Sequence, residues 1–290
     1  MTNKEKISII ITVANGAGYV KKTLPALLGL DYPDFEIIIA DNGLNTDLPE
    51  YLEKNGYDKV IYLRSKPFSK TVASNRGASE AKGKFLLFLD ADALVSDKNI
   101  LSKINSLLTL KGQTCFSIGF MNTNKSYIGK GGRLFIPSRF LRELFRIKND
   151  NLRLDYPQGF AFFITKTVWD KIGGYDEKIS FGCEEMDIGF KLRTIKASCQ
   201  LCDDISITDI GIPQGEIDLK KNMNSEVDKY GKMIYGKVFF INKHYSLFDK
   251  VIILPLLFLK HLMSASFKSF NYKNSGFLKA VLAAYFRKDE

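Results

Sequence analysis

The tripeptide Asp90-Ala91-Asp92 carries the most suggestive chemistry in the sequence. It follows directly on the apolar run Phe85–Leu89, which reads as a buried strand. Strand side chains alternate between faces, so two aspartates flanking one small residue are expected to project toward one point. Two hard oxygen ligands with open coordination positions suit Mg2+ or Mn2+ held jointly by the protein and a diphosphate. A cation there would neutralise charge growing on a departing diphosphate. The tripeptide alone also fits a solvated turn, and its place at the end of an apolar run is what favours chemistry.

Two further acidic groups stand at comparable places. Asp41-Asn42-Gly43 follows the run Phe35–Ala40 and could hydrogen-bond a nucleobase or a ribose hydroxyl, though an Asn-Gly turn fits as well. Glu184-Glu185-Met186-Asp187 opens a helical pattern over Glu185–Lys196, with Ile188, Leu192 and Ile195 on one face. The exposed N–H groups and dipole of a helix start favour carboxylates. A glutamate anchored there is held to accept a proton from a hydroxyl, or it only stabilises the helix.

Positioning these groups falls to an alternation of β-rich runs and helical patterns. Ile7–Val13 precedes Tyr19–Leu30, Phe35–Ala40 precedes Asp47–Asn55, Val60–Leu63 precedes Ser69–Ala81, and Phe85–Leu89 precedes Lys98–Leu110. Such β-α repetition predicts an α/β fold with a mostly parallel sheet flanked by helices. In such sheets ligands bind beyond the carboxyl ends of the strands, where Asn15, Asp41, Asn42, Asp90 and Asp92 all fall. From Gln113 the rhythm breaks. The Gly/Lys/Asn-rich stretch from Asn122 to Arg133 reads as a mobile loop, either a lid or plain surface. A strand over Phe160–Thr165 and a short helix over Lys166–Ile172, ended by Gly173-Gly174, follow.

Composition narrows the classes. At 290 residues and 45% hydrophobic, the chain can bury one good core. With 42 Lys+Arg against 32 Asp+Glu, its +10 charge favours nucleotides, nucleic acid or an acidic membrane leaflet. No nucleic-acid module or aromatic-basic motif is present, so nucleic acid is not expected as a partner. Cys115, Cys183, Cys199 and Cys202 are too few for a disulfide scaffold and read as ordinary thiols, the Cys199–Cys202 pair included. Lys4 and Lys6 before Ile7–Val13 imitate a short signal peptide, but an Ile-rich buried first strand explains the run better. The longest apolar run, Val251–Leu259, stops at Lys260, short of a membrane span. From Leu247 on, seven basic residues face Asp249, Asp289 and Glu290 and are interleaved with Phe, Leu and Tyr. This tail reads as basic amphipathic helices that lie on a membrane or pack on protein.

The succession of blocks carries a resemblance. Ser8-Ile9-Ile10-Ile11-Thr12-Val13-Ala14-Asn15, Tyr32-Pro33-Asp34-Phe35 running on to Asp41-Asn42-Gly43, and Ala73-Ser74-Asn75-Arg76-Gly77 come first. Phe88-Leu89-Asp90-Ala91-Asp92, Gly173-Gly174-Tyr175-Asp176-Glu177 and Phe181-Gly182-Cys183-Glu184-Glu185-Met186-Asp187 follow. In order and spacing they resemble the family-2 glycosyltransferases of the GT-A fold over roughly residues 7 to 210.

The resemblance implies a nucleotide-sugar-binding half over 1–112 and an acceptor-binding half of the same GT-A domain over 113–245, and the compositionally distinct basic helical tail takes 246–290. The resemblance places Thr12, Ala14, Asn15, Asp41 and Asn42, with Asn75, Arg76 and Asp90, around the nucleotide. Asp92, aided by Asp90, would hold Mn2+ or Mg2+ on the diphosphate. Gln158 and Gly159 would line the acceptor, and Glu185 would be the general base. Two departures stand out. Glu185 replaces the commoner Asp, which leaves Glu184 as an alternative base, and Asp209 sits where the family often has a His metal ligand. The expectation is an inverting, metal-dependent transferase that moves a sugar from a nucleoside-diphosphate sugar to a glycan or lipid-linked acceptor. It would work in the cytoplasm, peripheral to the inner face of the cell membrane. A sugar nucleotidyltransferase fits poorly, because Asn15-Gly16-Ala17-Gly18 lacks a neighbouring Arg-Lys cluster apart from Lys21 and Lys22. A degenerate, membrane-associated scaffold is the non-enzymatic alternative.

Overall fold

The computed structural model describes residues 4–14, 16–43, 47–57, 59–66, 69–112, 114–123, 127–134, 136–137, 153–179, 182–211 and 223–286. The chain divides into two compact units. One comprises Met1–Arg133, Asp150–Glu177 and Glu185–Gly211; the other comprises Leu134–Asn149, Lys178–Glu184 and Ile212–Glu290.

The first unit is built on the Ile- and Phe-rich runs. Strands β1 (Ile7–Val13), β2 (Phe35–Asp41), β3 (Val60–Arg64) and β4 (Phe85–Asp90) alternate with helices α1 (Ala17–Leu28), α2 (Leu48–Asn55) and α3 (Lys70–Glu80). Beyond them come β5 (Ala93–Leu94), α4 (Ile100–Leu110), β6 (Thr114–Asn122), β7 (Tyr127–Gly129), β8 (Arg153–Leu154), β9 (Ala161–Thr165), α5 (Lys166–Ile172), α6 (Glu184–Thr194) and β10 (Ser198–Asp209). The sheet order is β3-β2-β1-β4-β9-β6-β10-β5, with β7 on β6 and β8 on β10. Strands β1 to β4 are parallel, whereas β9 runs antiparallel to both β4 and β6.

Alternation along the strands makes two cores. Ile7, Ile9, Ile11, Ile37, Ile39, Phe85 and Leu87 face one way, and Ile10, Ile38, Leu86, Phe88 and Phe162 the other. On the second face Phe88 stacks on Phe162 at 4.7 Å and meets Trp169 at 4.5 Å. Helix α3 lies close on this face because residue 77 is glycine; a Cβ there would sit 2.7 Å from Ile10 Cγ2. That close seat brings the first turn of α3 to the end of β4. Helix α5 stops as the Gly-Gly pair predicts, at Gly173 in the left-handed conformation (φ 70°), donating its N–H to the Asp170 carbonyl.

Element boundaries differ from the sequence expectation mainly at helix starts, and Asp41 and Asp90 are the last residues of their strands rather than the first beyond them. The first apolar run is the buried strand β1, and Cys115, Cys199 and Cys202 are free, buried strand thiols.

The second unit contains α7 (Met223–His244), α8 (Leu247–Tyr272) and α9 (Gly276–Phe286). Its core gathers Tyr230, Ile234, Val238, Ala265, Phe277 and Val281. The Tyr230 hydroxyl donates to the His261 carbonyl at 3.3 Å, and Phe258 packs edge-on to Tyr285 at 4.9 Å, so the three helices pack side by side. The apolar run set aside above as too short belongs to α8, which over its full 26 residues is long and apolar enough to cross a membrane by length and composition. Counting only uninterrupted residues missed this, because Lys260 and His261 interrupt the run without ending the helix.

Candidate functional site

The carboxyl edge of the parallel strands gathers the acidic groups. Asp90 pairs in register with Thr12 of β1 and lies on the face covered by α3. There Lys70, in the first turn of α3, reaches Asp90 Oδ1 at 2.9 Å and lies 3.8 Å from Glu185 Oε1. The same Nζ donates to the Gly159 carbonyl at 3.0 Å. Lys70 thus joins three segments of the site, and the sequence reading missed it. Its only sequence signal was a basic residue opening a helix just ahead of the Ala73-Ser74-Asn75 block.

Asp92 departs from the strand-alternation expectation. The strand ends at Asp90, and Ala91-Asp92 form a turn. The turn is fixed from both sides: Thr23 of α1 donates to the Ala91 carbonyl at 3.0 Å, and the Ile210 N–H donates to the Asp92 carbonyl at 3.1 Å. Strand β5 then pairs with the end of β10, with Ala93 opposite Asp209. As a result Asp92 Oδ2 and Asp209 Oδ1 lie 2.9 and 2.8 Å from the point a Gly211 Cβ would occupy. Burial, then the charges of Asp90 and Asp209, push the Asp92 carboxyl up to about 6. Two hard carboxylate oxygens facing one point, one of them on a carboxyl raised by burial and neighbouring charge, fit Mg2+ or Mn2+ chemistry at Asp92 and Asp209. Among the described residues no three His, Cys, Asp or Glu side chains converge at ligating distance, so electrostatic coupling here reaches further than coordination.

Glu185 stands against Gly159, where a Cβ would collide with its Oε1. Gly159 therefore belongs to the Glu185 site through its missing side chain. Gln158 is held by its backbone, whose N–H donates to Ser117 Oγ at 2.8 Å. Glu184 is buried at the start of α6, and its Oε2 has no hydrogen-bond partner among the described residues.

At the end of β2, Asp41 is fully buried. It accepts from the Gly43 N–H at 2.8 Å, from the Tyr62 hydroxyl at 2.9 Å and from Arg64 at 3.3 Å. Beside it Asn42 is 3% exposed, and neither side-chain amide atom has a hydrogen-bond partner among the described residues. Thr12 shares a hydrogen bond with Ser74 at 2.9 Å, and Ala14 is exposed. Asn15 lies outside the described residues, as does part of the Asn122–Arg133 stretch. Asn75 uses its amide on Tyr175 and Glu177, bracing the turn after α5. Exposed Arg76 donates to the Arg64 carbonyl and so touches the Asp41 group at second hand. Asn75 and Arg76 share no hydrogen bond or ion pair with Asp90 or Asp92.

The family model described as Glycosyl transferase family 2 matches residues 8–169. An uncharacterized glycosyltransferase of Rickettsia prowazekii (strain Madrid E) is 25% identical over 196 residues, 66% of this chain and 59% of its own. The poly-beta-1,6-N-acetyl-D-glucosamine synthase of Staphylococcus epidermidis is 32% identical over 96 residues, 32% of this chain and 23% of its own. This chain thus spans less than two thirds of the length of these relatives. Among solved structures, GalNAc-T7 with UDP, GalNAc and Mn2+ superposes at a TM-score of 0.63 with 19% identity, over 83% of this chain and 48% of that one. At that identity the likeness speaks for the fold, which is GT-A with a C-terminal helical region.

Proposed function

The chain belongs to glycosyl transferase family 2, and from that premise we propose that it transfers a sugar, with inversion, from a nucleoside-diphosphate sugar to an acceptor hydroxyl. The acceptor is a growing glycan or a lipid-linked one, in polysaccharide or cell-wall synthesis at the inner face of the cell membrane. The observation that carries this reading is the meeting of Asp90, Asp92, Asp209, Lys70 and Glu185 at one edge of the sheet.

The roles follow from placement. The buried polar groups at the end of β2, Asp41 and Asn42, whose side-chain amide has no partner among the described residues, suit a nucleobase edge or ribose. Asp92 and Asp209 would hold Mn2+ or Mg2+, which when bound supplies positive charge to the leaving diphosphate. Glu185 takes the proton from the acceptor hydroxyl, and attack on the face opposite the diphosphate inverts the anomeric carbon. Lys70 holds Glu185 and Asp90 in fixed relation, and Gly159 leaves the room Glu185 occupies.

The test is the anomeric configuration of the product, read by proton NMR from a panel of nucleotide sugars and glycan acceptors. A product of opposite configuration to the donor supports the reading, and retention overturns the single displacement. Pyrophosphate released from a nucleoside triphosphate would replace it with a nucleotidyltransferase. Nucleotide binding without turnover on any acceptor would leave a scaffold.

A further inference from the structure

We propose that helix α8 docks the protein on an anionic lipid surface by lying in the plane of the interface, with the face carrying Leu256, Leu259, Met263, Phe267 and Phe270 immersed. This deepens the membrane placement proposed above and rests on it, but it uses none of the transfer chemistry.

The five side chains are between 58% and 82% exposed, and their spacing of three or four residues keeps them on one side of the helix. From Leu256 to Phe270 that stripe runs about 20 Å at the rise of an α-helix. The opposite side of α8 is occupied: Ile253, His261 and Ala265 are buried, and Phe258 packs on Tyr285 of α9. One face is therefore already taken by protein while the other offers a continuous apolar strip to whatever covers it.

Charge identifies the occupant. Residues 223–286 carry nine lysines against Glu226, Asp228 and Asp249, a net +6. Lys243, Lys260, Lys273 and Lys279 are exposed. A second copy of the same surface would bring like charges together, whereas phosphate headgroups complement them. The same helices argue against crossing the bilayer. Packed beside α8 is α7, with exposed Glu226, Asp228, Lys229 and Lys232, which would be dragged into hydrocarbon if α8 spanned. Immersion of one apolar face leaves α7 in water.

The full chain is tested by sedimentation with phosphatidylglycerol/phosphatidylcholine vesicles and with phosphatidylcholine vesicles, at low and high salt. We expect binding to the anionic vesicles, at least about tenfold stronger than to neutral ones and weakened by salt. The double substitution Leu259→Asp/Phe267→Asp should lower it by about a hundredfold or more, with unchanged circular dichroism and melting. Lys260→Glu/Lys273→Glu, which leaves the apolar strip intact, should lower binding to anionic vesicles by about tenfold. Sedimentation that neither pair of substitutions alters overturns the proposal, as does wild-type protein that stays in the supernatant. A dimer by light scattering that Leu259→Asp/Phe267→Asp dissolves would assign the face to a second copy instead. Resistance to carbonate extraction, with the C-terminus protected from protease, would make α8 a spanning helix and also overturn it. Nucleotide-dependent melting, followed on the same samples, reports the transferase site separately.

Discussion

The α/β unit and the helical unit break the inside-outside rule in opposite places. Among the described residues, Leu110 is the one strongly exposed large apolar side chain of the α/β unit, while eleven others lie on α8 and α9. The α/β unit places its anomalies inside: Asp41 is fully buried, and Asp92 is raised by burial and by neighbouring carboxylates. Local violations of folding logic cost stability and persist where something else uses them. In one unit the violations are acidic groups gathered at a sheet edge, as small polar ligands require. In the other they form an apolar strip at a surface, as an extended nonpolar partner requires.

The comparison predicts that damage to one unit should leave the other's property intact. The largest effect should come from Glu185→Gln, which removes the proposed base and should lower turnover by about 10²- to 10⁴-fold in a transfer assay, with vesicle binding unchanged. Full activity in this variant would remove Glu185 from the mechanism. Next, Gly159→Ala forces Glu185 out of its place, and we expect turnover to fall by about tenfold or more while nucleotide binding persists.

A smaller effect is on stability against pH. The Asp92 carboxyl is raised from its ordinary 3.8 to about 6 in the folded protein, by burial first and then by Asp90 and Asp209. The folded state therefore binds more protons than the unfolded one between these values, so stability declines as pH rises through that window and the loss is complete above about 6. Asp92→Asn should accordingly melt a few degrees higher than wild type at about pH 8 without divalent cation, and the gap should close near pH 4. Identical melting at both pH values would show that Asp92 carries no such burden. The smallest effect belongs to the helical unit. Ser246 Oγ caps α8 by accepting the Asp249 N–H at 3.2 Å, so Ser246→Ala should cost about 1 kcal/mol in denaturant unfolding with turnover unchanged.

Much of the α/β unit was legible in the sequence because its signals are local. Strands such as Ile7–Val13 and helices such as Lys166–Ile172 follow from apolar runs, β-branched content and a Gly-Gly stop. What escaped depends on distant segments meeting. Lys70 gains meaning only where α3, β4 and the start of α6 converge. Asp92 reaches Asp209 through a turn and the pairing of β5 with β10, rather than through the strand alternation expected of Asp90 and Asp92. The resemblance set Gly159 on the acceptor side, but that its missing side chain makes the room Glu185 occupies shows only once the two segments meet. In the helical unit the apolar run was visible, but the continuity of α8 through Lys260 and His261, and which of its faces stays bare, were not.

The most direct test of the carboxylate edge as a nucleotide-sugar site is a thermal-shift screen of UDP, GDP, dTDP and CMP, each with Mn2+, Mg2+ or EDTA, on wild type and Asp92→Ala. The account predicts that one nucleotide raises the melting temperature of the wild type, that EDTA abolishes the shift, and that Asp92→Ala does not show it. Stabilisation that survives both EDTA and Asp92→Ala would contradict a cation held at Asp92, and no stabilisation by any nucleotide would contradict the donor site itself.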